Sequence, residues 1–208
     1  MQKIWDLSPP VGPTSPVFEG DTPYSQAWAW HIDQGSPVNV ATLKLSGHVG
    51  AHADGPLHYD PRGKAVGELS LEPYLGPCRV IHARGVGRLV QWQDLVHGLD
   101  HLLPRVLIRT YPRFPLTTFD PDFRALDPQL VEALADRGVQ LIGIDSASVD
   151  PAASKDLPSH QALRRRDLRV LENLCLDAVP EGDYELIALP LRWIQADASP
   201  VRAILRLL

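Results

Sequence analysis

A mixed α/β domain with a largely β core and a few packed helices is the fold class the sequence predicts, on three observations. Short runs rich in β-branched residues outnumber segments with helical periodicity. Prolines, 20 in 208 residues, cluster in the first sixty positions and again around 104–128, where they suppress helix and favour extended segments and turns. Two stretches alone read as full helices, too few for a doubly wound parallel sheet. No repeat, low-complexity tract or long polar linker divides the chain, so one domain over residues 1–208 is expected.

In chain order, KIWDLS (3–8) reads as a strand and a proline-rich stretch follows it to Tyr24. VNVATLKLS (38–46) alternates polar and apolar residues and runs into a histidine-rich segment. GPCRVIHAR (76–84) and PRVLIRT (104–110) read as buried strands, with QWQDLVHGLD (91–100) between them as a short helix or loop. DPQLVEALADRGVQLIGIDS (127–146) predicts a helix capped by Asp127, opened by Pro128 and ended by Gly138, then a buried strand. SHQALRRRDL (159–168) predicts a second helix with Ser159 as N-cap. DYELIALPL (183–191) and SPVRAILRLL (199–208) read as two further strands.

A net charge of −5 and a pI near 5.9 leave no basic field for nucleic acid or anionic lipid. The N-terminus MQKIWDLSPP has neither signal-peptide nor transit-peptide character, and no apolar run approaches the ~20 residues of a membrane span. A cytoplasmic protein that binds neither nucleic acid nor membrane is expected. Cys78 and Cys175 sit far apart in apolar surroundings, which suits reduced thiols without assigned chemistry.

The chemistry concentrates in HVGAHADGPLHYD (48–60). His48, His52, Asp54 and His58 all occupy even positions, so an extended segment would project them from one face. Residues four apart in a strand are roughly 13 Å from each other, too far for one ion. Gly50 is therefore where the backbone should curl to bring His48 to His52, and Gly55-Pro56 where it should turn to re-aim His58. Two neutral imidazoles and one carboxylate make a metal set with an open position, as a catalytic site requires. The isolated histidines His82, His97 and His101 are expected to be structural. His160 and Glu172 are further candidates, but twelve residues apart on one helix they would differ by about 120°, so sharing an ion requires the helix to end between them. The run Arg164–Arg166 suits a solvated helix face.

HVGAHADGPLH resembles the HxGxHxDxPxH signature of the cyclase-type metal-dependent hydrolases. The segments SPVNVATLKLSGHVGAHADGPLHYD, YLGPCRVIHA, LIGIDSASVDP, SKDLPSH and GDYELIALPL extend a resemblance to the bacterial kynurenine formamidases (arylformamidases) over almost the whole chain. The resemblance implies a swivelling β/β/α cyclase-like fold and a homodimer. It implies hydrolysis of N-formyl-L-kynurenine to L-kynurenine and formate in tryptophan breakdown. It further implies two Zn²⁺ per chain: one on His48, His52 and Asp54, the other on Asp54, His160 and Glu172, with the carboxylates shared. His58 takes the place of the family's proton donor and acceptor. Two departures stand out. Ala51 replaces a common threonine, removing a hydroxyl that could support a ligand. Phe18, in PVFEGDTP, replaces a tryptophan that stacks on the substrate's aryl ring, keeping an aromatic face but losing area and an N–H donor. Two alternatives stay open: a sister hydrolase opening a cyclic amide such as an isatin, and a non-catalytic metal-binding or sensor protein.

Overall fold

The computed structural model describes residues 3–208, so Met1 and Gln2 of the N-terminal segment lie outside the described residues. Thirteen strands and three α-helices are present among those residues: β1 (Ile4–Asp6), β2 (Ser25–Trp30), β3 (Val40–Lys44), β4 (His52–Asp54), β5 (Leu75–His82), β6 (Leu89–Val90), α1 (Trp92–Leu95), β7 (Arg105–Arg109), β8 (Ala125–Leu126), α2 (Pro128–Ala135), β9 (Leu141–Ile144), α3 (Pro158–Arg166), β10 (Arg169–Glu172), β11 (Gly182–Ile187), β12 (Ala198–Pro200) and β13 (Ile204–Leu207). The expected mixed α/β class with a β core is what forms.

Nine strands make one mixed sheet in the order β1-β13-β11-β5-β7-β9-β10-β4-β12. The run β5-β7-β9-β10 is parallel and every other neighbouring pair is antiparallel. Successive strand residues point to opposite faces, and both faces of the parallel run are buried. Val80, Leu107, Leu141 and Leu171 join Trp5, Tyr74, Cys78 and Tyr184 on one side. Ile81, Val106, Ile108, Ile142 and Val170 pack with Leu130, Val131 and Leu134 of α2 and Ala162 and Leu163 of α3 on the other. This explains why these strands read as unbroken apolar runs.

Helix α2 follows its sequence signals: the Asp127 side chain accepts from the Gln129 N–H at 2.8 Å, and Gly138 adopts φ +85° beyond its end. Helix α3 departs from them. Leu157, at φ 46°, is the N-cap and makes no side-chain cap bond. Ser159 lies inside the first turn, where its hydroxyl donates to the Leu126 carbonyl at 2.9 Å. Asp150 does the capping from outside the helix, accepting from the Ser159 and His160 N–H groups at 2.9 Å each. A distant carboxylate leaves no local signature, which is why Ser159 looked like the cap.

Helix α3 ends at Arg166, and Asp167 turns the chain at φ 50° into β10. That strand, absent from the sequence-based element list, pairs with β9 on one side and β4 on the other. The 120° obstacle to bringing His160 and Glu172 together thereby disappears. The arginine run does more than face solvent: Arg164 pairs with Asp60 at 2.8 Å, Arg165 with Glu132 at 2.8 Å, and Arg166 with Asp136. Of two further strand expectations, the first forms and the second is corrected. The segment 38–46 forms β3, which pairs with β2 in an exposed hairpin outside the large sheet, and residues 199–208 break into β12 and β13 because Val201–Ala203 leave the ladder.

Candidate metal centre

Strand β4 is three residues long and lies between β10 and β12. His52 and Asp54 project from the same face, two residues apart. The antiparallel register sets Glu172 directly opposite His52 and Ala198 opposite Asp54. Extension is thus confined to the middle of 48–58. His48 sits in a turn, and His58 closes a 3₁₀ turn over Pro56–His58. The two expected bends are where they were placed. Gly50 adopts φ +63°, and a Cβ there would lie 2.7 Å from Val11 Cγ2, while Gly55-Pro56 opens the turn carrying His58.

Three imidazoles and two carboxylates converge. His48 Nδ1 is 3.2 Å and His52 Nε2 3.4 Å from Asp54 Oδ1. His160 Nε2 is 3.4 Å from Asp54 Oδ2 and 3.7 Å from Glu172 Oε1, and His52 Nε2 is 3.3 Å from Glu172 Oε2. His52, Asp54, His160 and Glu172 are each at most 3% exposed. Nevertheless both Asp54 oxygens, His52 Nε2 and His160 Nε2 lack a hydrogen-bond partner, which is costly for buried polar atoms.

A divalent ion would resolve the cost. Two ligands each ~2.1 Å from one tetrahedral ion lie about 3.4 Å apart, the spacing these donors already have. Each imidazole's other nitrogen, moreover, already has an acceptor: Asp197 Oδ2 for His48 at 2.9 Å, the Gly50 carbonyl for His52 at 2.9 Å, and Asp150 Oδ2 for His160 at 2.7 Å. Outer acceptors of this kind orient metal-binding imidazoles and fix their tautomers. The donor set thus fits a metal.

Electrostatics agree with the geometry. Burial pulls the three imidazoles down, but the adjoining carboxylates outweigh it and raise His48 to about 10, His52 to about 9 and His160 to about 10. Burial likewise pushes the Asp54 carboxyl up, yet the imidazoles around it hold it well below the usual range. The site carries an excess of negative charge that only cations, protons or metal, can balance.

The centre opens into a cavity of about 370 Å³ whose lining includes Phe18, His58, Tyr111, Phe119, Asp120 and Ser148. Phe18 is therefore not simply a core aromatic: it borders the site and packs on Phe119 at 4.8 Å between ring centroids. His58 stays outside the buried cluster of candidate ligands, about one-third exposed at its side chain, with its ring 4.3 Å from that of His48 and 5.6 Å from that of His160. Ala51 is buried in the core. His82 and His97 bind the Val179 carbonyl and Glu181 instead, at 2.9 and 2.7 Å.

All seven sequence candidates, Phe18 included, meet at this one place. Sequence reasoning missed Asp150 and Asp197, neither of which belongs to a spacing pattern, and it missed the acceptor role of the Gly50 carbonyl.

Comparison with known proteins gives consistent results. A family model described as "Putative cyclase" matches residues 5–151. The chain is 61% identical over 207 residues to a kynurenine formamidase of Delftia acidovorans, covering 100% of this chain and 99% of that protein. It is 59% identical over 206 residues to one from Bordetella pertussis, covering 99% of each. A solved structure described as "The Structure Of Potential Metal-Dependent Hydrolase With Cyclase Activity" superimposes with a TM-score of 0.85 at 26% identity, over 99% of this chain and 98% of that one.

Proposed function

This chain belongs to the cyclase family, and from that premise we propose that it is a metal-dependent arylformamidase that hydrolyses N-formyl-L-kynurenine to L-kynurenine and formate. The observation that carries the reading is identity of 59–61% to kynurenine formamidases across essentially the whole chain.

Two Zn²⁺ per chain is our assignment for the cofactor. His48, His52 and Asp54 would hold one ion, and Asp54, His160 and Glu172 the other, with both carboxylates shared. The orphaned buried atoms of His52, Asp54 and His160 support it. What such ions supply is Lewis acidity, which makes water a nucleophile at neutral pH and polarises a carbonyl oxygen.

The rest falls to side chains. Phe18 and Phe119 offer aromatic faces to the aryl ring. His58, on the cavity wall, takes a proton from the attacking water and returns it to the amine nitrogen, which leaves poorly unless protonated.

Two further assignments complete the proposal: cytoplasmic location within tryptophan breakdown, and a homodimer. No helix among the described residues is long and apolar enough to cross a membrane. The homodimer draws support from the β2–β3 hairpin. A two-stranded element is marginal alone, and this one and its connecting loop expose Trp28, Trp30, Ile32, Val38, Val40 and Leu43.

The test follows ultraviolet absorbance as purified, metal-analysed protein meets N-formyl-L-kynurenine, with a chelated sample alongside. Chelator-sensitive release of kynurenine is expected. Metal-loaded protein that releases none would overturn the substrate assignment.

A further inference from the structure

The geometry points to a positioning residue for this reaction: we propose that Asp197 orients His58 for proton transfer and ties it to His48. The inference rests on the arylformamidase reading and deepens it.

Asp197 precedes β12, 139 residues after His58 in the chain. Its backbone is fixed on both sides of the site. The Asp197 carbonyl accepts from the Gly55 N–H at 2.7 Å, and Ala198 pairs with Asp54 across the sheet. The carboxylate is thus anchored to the strand that carries Asp54 and to the turn that aims His58.

A single oxygen serves two rings. Asp197 Oδ2 lies 2.9 Å from His48 Nε2 and 3.3 Å from His58 Nδ1. No other side-chain hydrogen bond of His58 occurs among the described residues, and that side chain is 32% exposed. Without an anchor, an imidazole this exposed samples several rotamers. Donation from Nδ1 to Asp197 selects one ring orientation and leaves the Nε2 lone pair to accept a proton. The second bond acts on His48, whose opposite nitrogen faces Asp54. The carboxylate therefore sets the tautomer of a candidate metal ligand and of the proton carrier together.

The chemical balance needs nothing more. Water loses a proton to His58 as its oxygen bonds to the formyl carbon. The C–N bond then breaks with its electron pair going to nitrogen, which receives that proton from His58. Formic acid and the arylamine are the products, and the acid loses its remaining proton to solvent to become formate.

His48, His58 and Asp197 could also hold an ion themselves, since one ligand atom from each lies within 4.8 Å of the others. The experiment separates these roles. Asp197→Ala and Asp197→Asn are prepared under saturating zinc, and bound metal is counted. Then kcat and KM are measured on N-formyl-L-kynurenine, on formanilide, and on 4-nitrophenyl formate, whose phenolate leaves without a proton. A positioning role predicts unchanged metal content, KM within about threefold, kcat on the amides down about 100-fold, and a much smaller loss on the ester, as lost general acid–base help implies. Adding Asp197→Ala to His58→Ala should change kcat no further.

Equal losses on amide and ester, or additive losses in the double variant, would overturn the proposal. Loss of one metal equivalent would make Asp197 a ligand instead, which also overturns it. A wild type that cleaves formanilide but not N-formyl-L-kynurenine refutes the substrate reading and leaves the Asp197 comparison standing. A wild type inactive on both amides refutes both.

Discussion

His52 and Glu172 are cross-strand partners in the antiparallel β4–β10 pair, with His52 Nε2 3.3 Å from Glu172 Oε2. The register of a sheet, rather than a loop, thus sets the spacing of two candidate ligand atoms. Glu172 Oε1 also accepts the Val149 N–H at 2.8 Å, a bond glutamine can keep. Glu172→Gln should therefore fold normally yet fall from about two metal ions per chain to about one. Its kcat should drop at least about 100-fold, because Lewis-acid stabilisation amounts to several kcal/mol. Elemental analysis with steady-state kinetics checks this, and full metal content would remove Glu172 from the ligand set.

His58 and Asp54 should separate proton transfer from metal binding. Asp54 is buried between three imidazoles, whereas His58 borders the cavity. His58→Ala is expected to keep its metal and lose about 10²–10⁴-fold in turnover, while Asp54→Ala loses both. Equal metal loss in the two variants refutes the division.

Asp150 accepts three hydrogen bonds, two from His160, through Nδ1 at 2.7 Å and the backbone N–H at 2.9 Å, and one from the neighbouring Ser159 N–H at 2.9 Å. Removing a helix cap costs about 1 kcal/mol, and a charge-assisted bond about 1.5–3 kcal/mol. Asp150→Ala should consequently unfold at lower denaturant by about 2–4 kcal/mol of stability and bind metal 10–100-fold more weakly. Unchanged metal affinity in the folded variant would show that His160 holds its ring unaided.

Gly63 packs against the turn that carries His58. A Cβ added there would lie 2.3 Å from the Pro56 carbonyl carbon and 2.6 Å from the Leu57 nitrogen. Backbone atoms cannot rotate out of the way, so Gly63→Ala must shift the turn. Expected are about 1–3 kcal/mol of lost stability, retained metal and reduced kcat. A variant with wild-type kcat and stability would show that the turn adjusts freely.

Metal binding should compete with protons. A histidine raised above 6.5 by folding stabilises the metal-free protein below that pH, and the contribution disappears as pH climbs through the folded value. For His48, His52 and His160 that window runs from about 6.5 to 9–10. Zinc must displace these protons, so each one displaced makes affinity about tenfold higher per pH unit. Zinc titrations at pH 7 and 8, with calorimetry in two buffers to count released protons, test this. Affinity independent of pH contradicts it.

The legible part of this protein is what lies within a few residues. Apolar and β-branched runs mark β5, β7 and β9, which pack on both faces, and alternation marks β11, which buries Tyr184 and Leu186 on one face. Asp127, Pro128 and Gly138 mark α2 because capping is a local matter. His48, His52, Asp54 and His58 announce themselves because one short segment supplies them, and Gly50 supplies the bend.

The tertiary structure decided what depends on distant pairing. Whether His160 and Glu172 share a site turned on α3 ending at Arg166 and β10 returning beside β4. Asp150 and Asp197 owe their places to contacts with residues 10 and 139 positions away. A carboxylate that caps a helix or orients an imidazole across such a gap needs only the right position in space, and no periodicity records that. The sequence by itself determined the chemistry of the centre, since donor types are properties of side chains; the fold decided its geometry, since sheet register and chain return bring the donors within ligand distance.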